Sequence, residues 1–138
     1  MSEQTYLCFD YGAKRIGVAV GQTLTGTATP LETIKVINGT PDWDKISGLV
    51  QQWQPHALVV GLPYCMDDSR QAITDSAEKF IRQLEGRYQL QVFQAEERLT
   101  TYEARNRIKK DRGLDPVAAQ IILESWLHEK QNTNDKRL

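Results

Sequence analysis

The chain is expected to form one α/β domain around a mixed sheet of five strands, three antiparallel and then two parallel, flanked by helices. Three observations predict this. Apolar segments follow the order of three strands, helix, strand, helix, strand, helix, helix. The fourth and fifth strands each follow a helix, and such crossovers join parallel strands. Acidic residues stand where apolar runs stop, as they do at the carboxyl edge of a ligand-binding parallel sheet.

Thr5 to Phe9 is the first strand and Ile16 to Val20 the second, joined by a turn at Tyr11-Gly12-Ala13-Lys14. A third extended segment runs from about Thr29 through Pro30 to Ile37, alternating in Leu31, Thr33, Lys35 and Ile37, and ends at the turn signal Asn38-Gly39. The period then changes. Trp43, Ile46, Leu49, Val50 and Trp53 are spaced as one face of a helix from Asp42 to Gln54, which Pro55 stops. Ala57 to Val60 is wholly apolar, as in a strand covered on both faces, and leaves through Gly61-Leu62-Pro63. Ser69 to Leu84 places Ile73, Ala77, Phe80, Ile81 and Leu84 on one stripe, with Gly86 as the expected stop. Leu90 to Phe93 is the fifth strand. Thr100 or Thr101 caps a basic helix that runs to about Asp111, where Gly113-Leu114 breaks the pattern. The final helix starts at Asp115-Pro116 and turns Ala118, Ile121, Ile122, Trp126 and Leu127 inward. The domain thus spans residues 1–128, with 129–138 a polar, flexible tail.

The 138 residues suffice for a real core, and 40% hydrophobic with 25% charged residues is the balance of a soluble globular protein. No basic start precedes an apolar stretch, so no signal peptide is expected. No apolar run approaches the ~20 residues of a membrane span. The expected home is the cytoplasm. Cys8 and Cys65 lack metal-ligand spacing, which argues against a zinc site or disulfide framework, and Cys8 reads as a small buried hydrophobe.

Asp10, Glu97 and Asp115 carry the chemical reading. Three carboxylates brought together form a hard-oxygen site for Mg²⁺ or Mn²⁺, suited to phosphodiester hydrolysis. Each also has a local explanation. Asp115 before Pro116 is a favoured helix start, Asp10 suits a turn, and Glu97 can pair with Arg98 at the surface. The net charge of −1 is silent about nucleic acid, but Arg105, Arg107, Lys109, Lys110 and Arg112 concentrate cations between positions 105 and 112. Such a stripe supplies phosphate contacts or forms a solvated helix face. His56 and His128 fit no ligand pattern, and the three tryptophans fall on apolar helical stripes that favour packing over base stacking.

Four ordered blocks resemble the bacterial YqgF family of ribonuclease H-like proteins. They are Phe9-Asp10-Tyr11-Gly12-Ala13-Lys14-Arg15-Ile16-Gly17-Val18-Ala19; Gly61-Leu62-Pro63 with Met66-Asp67; Glu97-Arg98-Leu99-Thr100-Thr101 with Glu103-Ala104; and Asp115 with Ala118-Ala119 and Ile121-Ile122-Leu123-Glu124. Departures are Glu96 where the family usually has Asp, Asp68 in place of a glycine, and a short stretch from Lys109 to Leu114 before Asp115. Members are described as Holliday junction resolvases and as nucleases that mature the 5′ end of pre-16S ribosomal RNA.

The resemblance implies a ribonuclease H-like fold and a metal-dependent nuclease with Asp10, Glu97 and Asp115 as its catalytic, Mg²⁺- or Mn²⁺-holding triad. It assigns phosphate contacts to Lys14, Arg15 and Arg98, and the flanking backbone to Arg105, Arg107, Lys109, Lys110 and Arg112. Gly12, Pro63 and Thr100 complete the substrate-binding set. The expected partner is nucleic acid, either the ribosomal RNA precursor or branched DNA, bound by a monomer or a homodimer. Two other classes stand beside this reading. The fold also serves as a non-catalytic nucleic-acid platform, and Asp10-Tyr11-Gly12 also resembles the first phosphate motif of the actin and sugar-kinase ATPases, which need two such domains.

Overall fold

The computed structural model describes residues 4–62, 69–96 and 116–136. Within them the chain runs β1 (Thr5–Tyr11), β2 (Arg15–Gln22), β3 (Thr27–Ile37), β4 (Thr40–Pro41), α1 (Trp43–Trp53), β5 (Ala57–Leu62), α2 (Ser69–Tyr88), β6 (Val92–Glu96) and α3 (Val117–Lys136). The strands form one sheet in the order β4-β3-β2-β1-β5-β6. β1–β2, β2–β3 and β3–β4 are antiparallel, and β1–β5 and β5–β6 are parallel. The basic helix expected after Thr100 lies outside the described residues.

Alternation along β1 divides the interior into two cores. Leu7, Phe9 and Tyr11 join Ile16, Val18, Leu58 and Val60 beneath Ile46 and Leu49 of α1 and Phe80 and Leu84 of α2. Tyr6 and Cys8 join Ala19, Ala57, Val59 and Ala95 beneath Ala118, Ile122, Leu123 and Leu127 of α3. The sheet is therefore a middle layer. β1 and β5 are apolar throughout because both their faces are covered. Each fully buried Leu or Phe here contributes roughly 1.5–3 kcal/mol. Phe9 also meets Phe80 edge to face at 5.7 Å.

Four features differ from their sequence-based positions. A sixth strand, β4, arises because Asn38 (φ 52°) and Gly39 (φ 76°) make a two-residue turn that sets Val36 opposite Pro41. Pro41 is tolerated because this strand lies at the sheet edge. α2 passes through Gly86 and ends at Tyr88, with Gln89 left-handed (φ 53°) beyond it. Its last turn is tied to α1: the Tyr88 and Ser47 hydroxyls lie 2.7 Å apart, and Arg87 sits 4.1 Å over the Trp43 ring. β6 occupies Val92–Glu96 because parallel pairing with Leu58–Leu62 selects those residues. α3 continues past His128 to Lys136.

The third strand buries the opposite alternation from the one expected. Ile34 and Val36 are buried, whereas Ile37 is 66% exposed. The cause is a bulge: Val18 pairs with Glu32 and Ala19 with Pro30, which leaves Leu31 without a counterpart on β2. Ala28 on one side of the bulge faces α3, and Ile34 and Val36 on the other side face the opposite core. α3 then secures the strand before the bulge. The Glu124 carboxylate accepts the Ala28 amide at 3.0 Å, and the Gln120 side-chain amide donates to the Ala28 carbonyl at 3.1 Å. Two side chains one helical turn apart thus satisfy both backbone groups of an edge residue. Glu124→Ala should lower urea stability by about 1 kcal/mol and accelerate hydrogen exchange at the Ala28 amide. Unchanged exchange there would show that the clamp does not hold the edge.

Candidate active site

Asp10 is the next-to-last residue of β1, opposite Gly17 on β2 and Gly61 on β5, and Gly61 in turn lies opposite Ala95 on β6. One row across the sheet therefore reads Gly17, Asp10, Gly61, Ala95. On these four strands Asp10 alone has a side chain longer than a methyl group, and the row continues to Thr33 on β3, opposite Gly17. Alternation places it on the α3 face with Tyr6 and Cys8, and it is only 2% exposed. Burying a carboxylate costs several kcal/mol unless partners or a cation compensate, so its place at a strand end is chemically specific.

The glycine at 61 leaves room for a side chain of the helix above it. A Cβ there would fall 2.8 Å from Ile122 Cδ1 and 3.3 Å from its Cγ2. Ile122 thus descends onto the sheet directly beside Asp10, because β5 presents no side chain at that point. Gly12 closes the hairpin beyond Asp10, where an added Cβ would approach the Arg15 carbonyl oxygen to 2.6 Å. Its contribution is the tightness of the turn that carries Lys14 and leads into Arg15 at the start of β2, both exposed.

Charge around Asp10 is visible in its neighbour. Burial, and after it the negative Asp10, hold the Cys8 thiol well above its ordinary pKa, so Cys8 is a protonated, packed side chain. Tyr11 follows Asp10 in sequence but points to the other core, where it packs on Phe80 at 5.2 Å. Burial raises its pKa, opposed by a hydrogen bond with Ser76.

Of the site residues expected from sequence, Asp10, Gly12, Lys14 and Arg15 are described, and all four lie at one end of the β1–β2 hairpin. Pro63, Glu97, Arg98, Thr100, Arg105, Arg107, Lys109, Lys110, Arg112 and Asp115 lie outside the described residues. Among the described residues no three His, Cys, Asp or Glu side chains gather as a metal site. Sequence reading did not find the frame around Asp10. Its signal is a glycine near the start of β2 and another near the end of β5, together with a branched apolar residue on the covering helix.

Comparison with known proteins follows the same lines. Residues 4–129 match the family described as "RuvX: Holliday junction resolvase". A protein of Aeromonas salmonicida (strain A449), described as "Putative pre-16S rRNA nuclease", is 50% identical over 138 residues, covering 94% of this chain and 99% of its own length. A protein of Coxiella burnetii (strain Dugway 5J108-111) with the same description is 48% identical over 132 residues, covering 91% of this chain and 94% of its own. Among solved structures, T. thermophilus RuvC in complex with Holliday junction substrate aligns with a TM-score of 0.58 at 14% identity, over 94% of this chain and 97% of that one. That likeness shows the ribonuclease H-like fold.

Two outcomes test this packing. Gly61→Ala should cost about 1–3 kcal/mol by overpacking, and adding Ile122→Val should recover part of that loss in a double-mutant cycle. Additive effects would mean that Ile122 does not press on the Asp10 row. The second concerns pH. Above about pH 8.5 the unfolded chain releases the Cys8 proton while the folded chain keeps it, so stability must fall as pH rises. In a Cys65→Ser background, Cys8→Ala should flatten that decline in urea titrations between about pH 8.5 and 10.

Proposed function

This chain belongs to the RuvX (YqgF) family of ribonuclease H-like nucleases, and from that premise we propose that it cuts the 5′ region of pre-16S ribosomal RNA with Mg²⁺ or Mn²⁺. The observation that carries the proposal is Asp10: a buried carboxylate at the carboxyl end of the central strand, in register with the ends of β5 and β6.

Glu97 and Asp115 complete the proposed triad. Phe93 and Ala95 belong to the Asp10 face, and Glu97 shares their parity in the sequence. Asp115 precedes by two residues the helix whose Ala118 and Ala119 pack on that same face. Carboxylate oxygens are the donors Mg²⁺ and Mn²⁺ prefer, so this donor set fits. When bound, the ions supply an activated water and stabilise the leaving oxygen.

The chain's own residues do the rest. Burial in the row between Gly17 and Gly61 holds the Asp10 carboxylate in one place. Lys14 in the adjacent turn and Arg15 at the start of β2 meet phosphate oxygens together with Arg98, and the cations from Arg105 to Arg112 hold flanking backbone. Gly12, Pro63 and Thr100 complete the proposed substrate-binding set. A monomer suffices for RNA cleavage in the cytoplasm, whereas symmetric resolution of a four-way junction needs two sites and hence a dimer. The family's description makes junction cleavage the second reading.

The deciding experiment compares wild type with Asp10→Asn on a labelled pre-16S 5′ leader and on a synthetic four-way DNA junction, each with Mg²⁺, Mn²⁺ or EDTA. We expect metal-dependent cutting of the RNA, reduced at least ~100-fold in Asp10→Asn, a loss of about 2.7 kcal/mol of transition-state stabilisation. Cutting of the junction alone would select the resolvase. Binding by both proteins without cutting under any metal would leave a non-catalytic platform.

A further inference from the structure

Two residues along β2 from Gly17, Arg15 stands directly opposite Lys35 on β3. The carbonyl of the preceding residue, Lys14, accepts the Val36 amide at 2.9 Å. Antiparallel pairs alternate between bonded and non-bonded kinds, so Arg15–Lys35 is a non-bonded pair, the kind whose side chains stand closest. Both residues are exposed, and like charges placed opposite each other on a sheet destabilise it.

Both lie on the face that carries Asp10. Arg15 shares parity with Ala19, which packs under α3, and Lys35 has the parity opposite to Ile34 and Val36, which bury in the other core. The bulge at Leu31 is responsible. Had the strand kept the alternation that turns Ala28 toward α3, Lys35 would point to the other face. Among the described residues neither cation has an acidic partner, and the nearby Lys45–Glu32 pair at 3.8 Å belongs to the α1 side. Lys14 adds a third exposed cation in the turn. This cationic cluster lies about 7 Å along the strand from the Asp10 row.

We propose that Lys35 and Arg15 form a two-pronged clamp for the nucleic-acid backbone next to the phosphate that is cut. The clamp rests on the nuclease reading above and adds Lys35, a positioning residue, to the substrate surface. A phosphate between the two cations relieves their repulsion, so the pair is stabilised by substrate and strained without it. Its contacts are to backbone, so it binds without regard to base sequence.

The test uses the full chain and a fluorescent pre-16S leader fragment in EDTA, with anisotropy titrations from 50 to 300 mM NaCl. Variants are Lys35→Ala, Lys35→Glu and Arg15→Ala, with Lys79→Ala on exposed α2 surface as the control. Lys35→Ala should weaken binding about 5–10-fold and flatten the salt dependence of log Kd by close to one ion, as loss of one phosphate contact requires. Lys35→Glu should raise Tm by pairing with Arg15 while weakening binding further. Lys79→Ala should leave affinity and slope unchanged. Wild-type affinity and slope in the Lys35 variants, with wild type still cutting RNA, would discard the clamp and leave the nuclease. A lower Tm for Lys35→Glu would identify Lys35 as a structural residue and overturn the clamp as well. Failure of wild type to bind or cut the leader or the junction would remove the nuclease reading, and the clamp with it.

Discussion

Parallel pairing of β1 with β5 is the constraint on which the rest of the molecule depends. It places Asp10 level with Gly61 and, one strand further, Ala95, so three strand ends open at the same height. Parallel neighbours cannot be joined by a tight turn, so the chain must cross one face of the sheet through a helix before β5. α1 makes that crossing, capped at its start by the Asp42 side chain on the Lys45 amide. α1 and α2 together bury one face of β1. The other face, the one that carries the carboxylate, is left for α3.

That face is built from small residues for a reason. Ala19, Ala57, Ala95, Ala118 and Ala119 let α3 lie close to the sheet, and Gly61 admits Ile122 beside Asp10. Close approach excludes water from around the carboxylate, which makes any charge near it more effective. The same dryness is felt by Cys8, whose thiol is held protonated by burial and by Asp10. The aromatic weight of this core sits at the far end of the strands, where Tyr6 and Phe93 pack against Trp126. The aromatic packing thus sits at one end of the α3 face and the buried carboxylate at the other.

Local patterns were largely legible before the structure. The helix from Trp43 to Trp53 lies within a residue of the span its periodicity indicated, and Asn38-Gly39 makes the turn its composition demanded. Where α2 and β6 run beyond their expected ends, contacts distant in the chain are the cause. Gly86 is helical because Arg87 and Tyr88 reach α1, and Val92–Glu96 is a strand because β5 lies beside it. Propensity is worth about 1 kcal/mol at a glycine, which a few tertiary contacts exceed.

The amino-acid sequence alone determined the α/β class, the family, and the position of Asp10 at the end of an apolar central strand, because periodicity and acid placement are local properties of the chain. Only the tertiary structure decided which residues share its row, which face of β3 is buried, and that Glu124 of α3 holds the edge at Ala28. It also set Lys35 opposite Arg15. Strand register is the physical reason. A shift of one residue reverses every side chain, and the register here depends on an unpaired Leu31 that no local pattern announces.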